Sequence, residues 1–344
     1  MYAHENFAVV LNANARRVST VVRRKVENLV SPEHIYYSAC AEDSSTIARE
    51  IVARGYPVVF TGGGDGTFVK FINDYVTEAE RSTSWPTGNR SVSMPKIGVL
   101  HLGTGNAVAS IVSSGNFECD LRSYVDGGYK DSQTLNLLEV EGSQFPFGGL
   151  GWDAELLNDY MYMKRNYAGN PFLKSVLQNV GGYFAAFFGR TVPRHISQMF
   201  DSSHKRTQVR ITNLGENATF LHAGQAVHEY ARGDVLYEGP SNISMFGTLP
   251  YYGHGMTVLP YSMDRPGYFH LRVATMNLFK VFSHLRSIWK GAYVGDDLLD
   301  WHATHVLLEF NDDVPYQFGG DGQGKRRTLE VRTSPVKVDL LRFI

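Results

Sequence analysis

The chain has 344 residues, of which 43% are hydrophobic and 19% charged, so it is long enough for about two domains with a substantial core. Its formal net charge of -1 gives no reason to expect a nucleic-acid partner, because binding to a phosphate backbone normally needs a basic excess. Cys40 and Cys119 lie far apart without a CxxC motif, which argues against structural zinc and a disulfide framework and predicts reduced thiols in the cytoplasm.

No segment is suited to crossing a bilayer. The N-terminus carries Glu5 and lacks a basic region followed by an apolar one, so a signal peptide is not expected. The longest apolar stretch, residues 180–189, is about half of the roughly 20 residues that a spanning helix needs. A buried core helix is one interpretation of this stretch, and a wall of a lipid site or a face that touches a membrane is the other.

Short β-branched runs alternate with helical patterns in the first third of the chain. The fourth predicted strand is followed by a short helix at 106–113, and Gly55 is expected to close the second helix. The alternation predicts a parallel sheet covered on both faces, forming an α/β domain over residues 1–132. Strands are predicted at 7–11, 35–37, 57–60 and 96–100, and longer helices at 18–30, from Ser44 or Ser45 to Arg54, and at 66–80.

The pattern changes at about residue 133. Residues 154–189 are mostly helical in pattern, and short strands separated by turn residues follow them. This spacing predicts a second, β-rich domain over residues 133–344, built as an antiparallel sandwich with a helical insertion at about 154–189. The polar segment Ser82 to Pro95 is interpreted as a surface loop of the first domain.

The strongest motif is a strand that ends in three glycines, Gly62, Gly63 and Gly64, followed by Asp65, Gly66 and Thr67 and then a helix. Glycines let the main chain approach a phosphate closely, and free amides at a helix start donate to anionic oxygens. A carboxylate at this point would repel phosphate unless it served a metal or a reacting hydroxyl. A glycine turn with Asp65 as a helix cap is the structural alternative.

A second strand ends in a similar way, in Gly103, Thr104, Gly105 and Asn106. By itself this motif is as compatible with an ordinary loop as with a binding site. It follows the first motif by one strand and one helix, and ligands of open α/β sheets gather outside the carboxyl ends of the strands. Together the two loops predict one nucleotide cleft.

These two motifs, about forty residues apart, resemble the diacylglycerol kinase catalytic-domain family, which includes sphingosine kinases and bacterial lipid kinases. The resemblance extends along most of the chain. Asn12 matches the Asn of an Asn-Pro motif, Asp153 lies in a Gly-aromatic-Asp-Ala segment, and Asp321 lies in a late Asp-Gly turn. The resemblance implies an N-terminal domain like that of NAD kinases, a C-terminal β-sandwich, and ATP between the two.

The resemblance also implies roles for individual residues. Asp65 and Asp321 are expected to be catalytic and to hold Mg²⁺, and Asp153 is expected at the head group of the acceptor lipid. ATP and a lipid acceptor are the expected partners, without nucleic acid, and the expected location is cytoplasmic with peripheral contact to a membrane surface. The residues expected to bind the nucleotide are Asn12, Gly62, Gly63, Gly64, Gly66, Thr67, Gly103, Thr104, Gly105 and Asn106.

Four positions qualify this interpretation. Lys164 and Arg165 could contact the γ-phosphate or form a solvated helix face. Many family members have Asp at the position of Ala107, whereas sphingosine kinases also have Ala there. This favours a long-chain amino alcohol over diacylglycerol as the substrate without excluding either. Gln323 replaces a Glu of the family, and an amide cannot act as a general base.

Three functions are compatible with these residues. The first is an ATP-dependent lipid kinase that phosphorylates a hydroxyl of diacylglycerol or of a sphingoid-type base. The second is a small-molecule kinase of the NAD-kinase type, although the Asn-Glu pair typical of those enzymes is missing beyond the first motif. The third is a nucleotide-binding pseudokinase with a regulatory role, which Ala107 and Gln323 suggest.

Overall fold

The computed structural model describes residues 6–15, 17–82, 93–113, 115–167, 187–191, 193 and 206–343. A continuous sheet of 16 strands connects an N-terminal α/β region with a C-terminal region rich in antiparallel strands. The predicted fold class, an α/β domain followed by a β-rich one, is therefore confirmed.

The N-terminal region is a parallel sheet with strand order β4-β3-β1-β2. Its strands β1 to β4 are Phe7–Asn12, Ile35–Ser38, Val58–Gly63 and Lys96–His101. Helices α1 to α4 are Thr20–Glu27, Ala41–Arg54, Asp65–Ser82 and Phe117–Val125, with single 3-10 turns at Pro32–His34 and Ala109–Ile111.

Strand β1 shows why this sheet must be covered on both faces. Successive side chains of a strand point to opposite faces. Ala8 and Val10 belong to one buried cluster, whereas Phe7, Val9 and Leu11 belong to another. An uninterrupted apolar run is the pattern expected of a parallel strand with helices on either side.

The C-terminal region contributes the antiparallel strands. It also contains helices α5, α6 and α7 at Trp152–Tyr167, Leu278–Ser283 and Leu285–Trp289, a 3-10 turn at Gly253–Gly255 and a π-helical turn at Phe187–Thr191. Strands β5 to β18 are Asp131–Val140, Ser143–Phe145, Phe147–Gly151, Gln208–Asn213, Ala218–His222, Gln225–Tyr230, Val235–Pro240, Ile243–Gly247, Tyr251–Tyr252, Met256–Thr257, Phe269–Ala274, Leu298–Ala303, His305–Phe318 and Asp321–Arg342.

The last strand, β18, joins the two regions. Its beginning pairs with β17, and its end pairs with β5 and, through Leu340 and Ile97, with β4 of the parallel sheet. Val338, Leu340 and Leu341 in this strand are fully buried. Residues near the C-terminus are therefore part of the N-terminal core, and the proposed boundary at residues 132 and 133 stays a prediction.

Two local predictions are corrected by the structure. The second helix begins at Ala41 rather than after Ser44 or Ser45, because the Asp43 carboxylate accepts the backbone N–H groups of Ala39 and Cys40 ahead of it. The predicted helix at 106–113 is reduced to the turn Ala109–Ile111, since Asn106 has a φ of 52°, which no helix accommodates.

Several predictions fall on residues outside the described ranges. Residues 83–92 of the predicted surface loop and residues 168–186 of the predicted helical insertion belong to this group. Among the helices that the structure describes, none combines the length and the apolar character needed to cross a bilayer.

Candidate active site

A cavity of about 890 Å³ opens at the carboxyl edge of the parallel sheet. Strands β1, β2 and β3 end at Asn12, Ser38 and Gly63, so the loops that follow them meet at this edge. The cavity continues toward the antiparallel region, where it is lined by residues of α5, α6 and α7. A single space thus reaches from the glycine loops to an apolar compartment.

The two glycine loops touch each other through their main chains. A Cβ atom added to Gly103 would lie 2.2 Å from the Cα of Gly64, and one added to Gly253 would lie 3.0 Å from the Cα of Gly105. Only residues without side chains permit this approach. Three backbone segments from different parts of the chain therefore converge on one end of the cavity, where main-chain groups are accessible to a ligand.

The Asp65 carboxylate fastens the first loop to the second. Its two oxygens accept the backbone N–H groups of Ala107 and Val108, each at 3.0 Å. Desolvation raises the pKa of the Asp65 carboxyl, and the two amides act in the opposite direction. The capping alternative is thus partly realised, although the capped segment follows the second glycine loop rather than the first.

Asn106 closes the second loop on itself. Its side chain accepts a hydrogen bond from the N–H of Gly103 at 2.8 Å and donates one to the carbonyl of Gly103 at 2.6 Å. Asn12 acts on the first loop, since its amide donates to the hydroxyl of Thr67 at 3.0 Å. Both asparagines hold the loops in shape.

Asp153 lies in a buried network between the two ends of the cavity. Its Oδ2 accepts a hydrogen bond from Nε2 of Gln317 at 3.0 Å, and the same amide is 3.3 Å from the hydroxyl of Tyr252. Oε1 of Gln317 accepts the N–H of Gly320 at 3.3 Å, which leads to the turn that carries Asp321. Desolvation raises the pKa of Asp153 to about 6.

Oδ1 of Asp153 is buried and has no hydrogen-bond partner within the described part of the chain. Asp153 itself lines the cavity. A buried carboxylate oxygen without a donor is costly, so this atom is suited to a donor that a ligand brings. Gly149 makes room for the carboxylate, because a Cβ atom there would lie 2.3 Å from Oδ2.

The other end of the cavity is apolar. Helix α5 contributes Trp152, Leu156 and Leu157, and helices α6 and α7 form a further wall. The remaining apolar residues of this compartment are Ile243, Met245, Met256, Val258, Val281, Phe282, Leu285, Ile288 and Trp289. Such a lining suits a hydrocarbon chain, whereas the glycine-loop end suits a polar ligand.

Lys70 is the basic residue that lines this cavity, considering the part of the chain that the structure describes. It follows Gly66 by one helical turn of α3, so the two residues share a face of the helix. Its ammonium group contacts Asp74 at 2.9 Å, while its side chain remains 42% exposed. The site therefore has an ammonium group, paired with Asp74, beside the first glycine loop.

Comparison with known proteins finds a similarity in the N-terminal part of the chain. The sequence profile of the diacylglycerol kinase catalytic domain matches residues 6–136. The resemblance to this family is confirmed. No curated protein sequence matches the chain.

Solved structures extend the likeness to the whole fold. A candidate diacylglycerol kinase from Bacillus anthracis str. Sterne aligns with a TM-score of 0.62 and 13% identity, covering 98% of this chain and 97% of its own. A second structure, of a diacylglycerol kinase from the same organism, aligns with a TM-score of 0.58 and 13% identity, covering 97% and 96%. At this identity the similarity establishes the fold alone.

The structure brings most of the predicted nucleotide residues to the cavity. Gly62, Gly63 and Asn106 support the loops from behind rather than lining it. The substrate residue Asp153 and the two proposed catalytic residues, Asp65 and Asp321, also line it. The nucleotide residues that line it are Asn12, Gly64, Gly66, Thr67, Gly103, Thr104 and Gly105.

The structure places the four positions that qualified the sequence interpretation in different surroundings. The side chains of Lys164 and Arg165 lie outside the described part of the structure. Ala107 is fully buried and donates its N–H to Asp65, so a larger side chain would have to displace core residues. Gln323 does not line the cavity; its side chain reaches back to the carbonyl of Asp321 at 3.4 Å.

The Asp321 carboxylate fits a magnesium ion that is bound together with phosphates. No group of three His, Cys, Asp or Glu residues within the described ranges could hold a metal by itself. Mg²⁺ is usually held by one or two carboxylates, substrate phosphates and water. Oδ2 of Asp321 would lie 2.8 Å from a Cβ atom at Gly66, and none of the described residues donates a hydrogen bond to this carboxylate.

Two residues of the site were missed in the sequence. Gln317 is 3% exposed and connects Asp153 with the Asp321 turn, yet a glutamine within a predicted strand carries no functional signal. Lys70 was treated as part of a helical pattern. Its distance of four residues from Gly66 could have indicated it, because positions i and i+4 share a helix face.

Proposed function

We propose that the protein is an ATP-dependent lipid kinase that transfers the γ-phosphoryl group of ATP to a hydroxyl of a lipid. The supporting observation is the single cavity, which has glycine loops and Lys70 at one end and an apolar compartment at the other. The match to the diacylglycerol kinase catalytic domain supports a phosphotransferase. The apolar compartment supports an acceptor with a hydrocarbon chain.

The phosphates of ATP are proposed to lie at the two glycine loops. Backbone N–H groups near Gly64 and Thr104 and the ammonium group of Lys70 would donate to phosphate oxygens. Asp321, with Asp65 as the second carboxylate, would hold Mg²⁺, which neutralises phosphate charge when it is bound.

The acceptor is proposed to lie with its chain in the apolar compartment and its head group at Asp153. The acceptor oxygen forms a bond to the γ-phosphorus, the bond from that phosphorus to the ADP oxygen breaks, and the hydroxyl proton leaves to a carboxylate. With a pKa of about 6, the Asp153 carboxylate is ionised at neutral pH and can accept this proton or bind a cationic amine. Asp65 is the proton acceptor that the family resemblance implies.

An ionised Asp153 favours an acceptor with an ammonium group beside its hydroxyl. A hydrogen bond between an ammonium and a carboxylate is about twice as strong as a neutral one. A sphingoid-type long-chain base supplies such a group, whereas diacylglycerol offers only a hydroxyl. We therefore rank the sphingoid base ahead of diacylglycerol as the proposed substrate.

Measuring phosphoryl transfer from ATP to diacylglycerol, to a sphingoid base and to NAD tests this proposal. We expect phosphorylated lipid with Mg²⁺ present and a loss of at least 100-fold in Asp321→Asn, because one ligand of the metal is removed. Asp313→Asn, which changes an exposed carboxylate away from the cavity, is the matched control and should retain wild-type turnover.

The other outcomes point to the alternative functions. Transfer to NAD without transfer to any lipid would identify a small-molecule kinase. Binding of ATP without transfer to any acceptor would identify a pseudokinase, which is the function suggested by the engaged oxygens of Asp65 and by Gln323.

A further inference from the structure

Helices α6 and α7 separate the apolar compartment from solvent. Their inner residues Val281, Phe282, Leu285, Ile288 and Trp289 line the cavity. These helices have six and five residues, and other residues of the same segment, among them Phe279 and Arg286, are exposed, so this wall is a single helical layer. A lipid chain that occupies the compartment is therefore only one layer of side chains away from the surface.

The outward residues of the same two helices are apolar and basic. Phe279 is 82% exposed, a larger fraction than for any other large hydrophobic residue in the described ranges. Arg286 and Lys290 are also exposed, and neither forms an ion pair with a described residue. Arg286 and Lys290 are four residues apart at the end of α7, which places them on one side of that helix, and Phe279 lies on α6 ahead of the break at His284.

The loop that joins α7 to β16 extends this surface. The ion pair between Lys280 and Asp297, at 2.6 Å, fastens the loop to α6, and Val294 in the loop is 50% exposed. Because Lys280 neutralises Asp297, the exposed acid that remains in the loop is Asp296. Phe279, Arg286, Lys290 and Val294 are called here the α6–α7 outer face, and its two cations outnumber that acid.

We propose that the α6–α7 outer face docks on the surface of an anionic lipid bilayer, with Phe279 and Val294 in the interface and Arg286 and Lys290 at the head groups. Exposed aromatic and aliphatic residues beside Arg and Lys are typical of segments that lie in a membrane interface. Four side chains are too few for a stable interface with another protein. The inference rests on the proposed function in one respect, because a lipid substrate has to pass from the bilayer into the compartment behind this wall.

Sedimentation with vesicles tests the docking of the full chain in the absence of ATP. The wild-type protein should bind vesicles of phosphatidylcholine with phosphatidylserine more tightly than vesicles of phosphatidylcholine alone. Phe279→Ser should weaken binding to both kinds of vesicle by about tenfold, because the variant lacks the aromatic side chain that the bilayer interface would bury. Arg286→Gln combined with Lys290→Gln should weaken binding by about fivefold per charge and only with phosphatidylserine present.

Val227→Ser is the matched control, because Val227 is 61% exposed on strand β10 and does not line the cavity. It should bind vesicles as the wild type does, and equal melting temperatures should show that all variants are folded. The proposal is overturned if the wild type does not sediment with vesicles, or if the α6–α7 variants bind like the wild type. Equal losses in Val227→Ser and Phe279→Ser would overturn it as well.

Turnover separates this inference from the proposed function. Phe279→Ser should phosphorylate a short-chain lipid dispersed as monomers at the wild-type rate and lose turnover only on vesicles. Vesicle binding through this face without phosphorylation of any lipid would contradict the lipid kinase proposal and leave the docking surface intact. Wild-type turnover on monomers with unchanged turnover of Phe279→Ser on vesicles would contradict the docking surface alone.

Discussion

The pKa of the Asp153 carboxyl predicts how the proposed activity depends on pH. Desolvation raises its pKa to about 6, so the carboxyl loses its charge below that pH. If the ionised form binds or deprotonates the acceptor, kcat/KM for the lipid should fall by about tenfold per pH unit below pH 6. In Asp153→Asn this fall should disappear, and KM for the lipid should rise more than KM for ATP. An unchanged pH profile in the variant would remove Asp153 from the acceptor site.

The raised pKa of Asp153 also predicts an effect on the free energy of unfolding, which does not depend on activity. A carboxyl with a raised pKa binds its proton more tightly in the folded state than in the unfolded state, so ionisation destabilises the fold. As pH rises from 3.8 to above 6, Asp153→Asn should gain stability relative to the wild type. Denaturant unfolding at several pH values measures this difference, and Asp313→Asn serves as the control.

Lys70 supplies an ammonium group beside the first glycine loop, where it is paired with Asp74. We expect Lys70→Met to weaken ATP binding by about 10- to 100-fold, because a charge-assisted hydrogen bond to phosphate is lost. Binding of adenosine should not change, and Lys70→Arg should retain much of the ATP affinity. Calorimetric titration measures these affinities. Lys25→Met, which breaks the surface ion pair with Glu118, is the control; an equal loss there would rule out a direct role for Lys70.

Asp65 has a role in holding the site together in addition to the chemical role that the family resemblance implies. In Asp65→Asn one of the N–H groups of Ala107 and Val108 would face an NH₂ group instead of an acceptor, at a cost of about 1–3 kcal/mol. We therefore expect the melting temperature, the ATP affinity and turnover to fall together. Loss of turnover with unchanged stability and ATP affinity would instead indicate a purely chemical role.

The two glycine loops behave as one element because their main chains are in contact. Gly103→Ala would place a Cβ atom 2.2 Å from the Cα of Gly64, and backbone cannot move aside as a side chain can. The nearest atom to a Cβ at Gly64 is 3.6 Å away, which is an ordinary contact. We expect Gly103→Ala to lose about 1–3 kcal/mol of stability and Gly64→Ala to lose mainly ATP affinity. Thermal unfolding and ATP titration of both variants test this contrast.

The whole molecule should unfold in a single transition. Strand β18 begins at the Asp321 turn of the site and ends beside β4 of the parallel sheet, so neither region retains its core when the other unfolds. Calorimetric and van't Hoff enthalpies should therefore agree. Leu340→Ala, in the fully buried end of β18, should lower stability by about 2–5 kcal/mol without splitting the transition. Two separate transitions would support independent domains at 1–132 and 133–344.

Local chemistry was sufficient to predict the parts of the site that are continuous in sequence. Glycines after two strands of a parallel sheet were expected at its carboxyl edge, and the two loops meet because β3 and β4 pair in the sheet. The same reasoning predicted strands β1 to β4, because uninterrupted apolar runs bounded by turn residues carry their own signal.

Contacts between distant residues were decided only by the tertiary structure. Asp65 and the amides of Ala107 and Val108 are more than forty residues apart, and Gln317 reaches Asp153 across 164 positions. A pattern along the chain reports which residues can take part in chemistry, but the partners that occupy a carboxylate depend on backbone segments brought together by packing. For this reason the sequence determined that two glycine loops follow neighbouring elements of a parallel sheet, and only the fold decided that one cavity joins those loops to an apolar compartment.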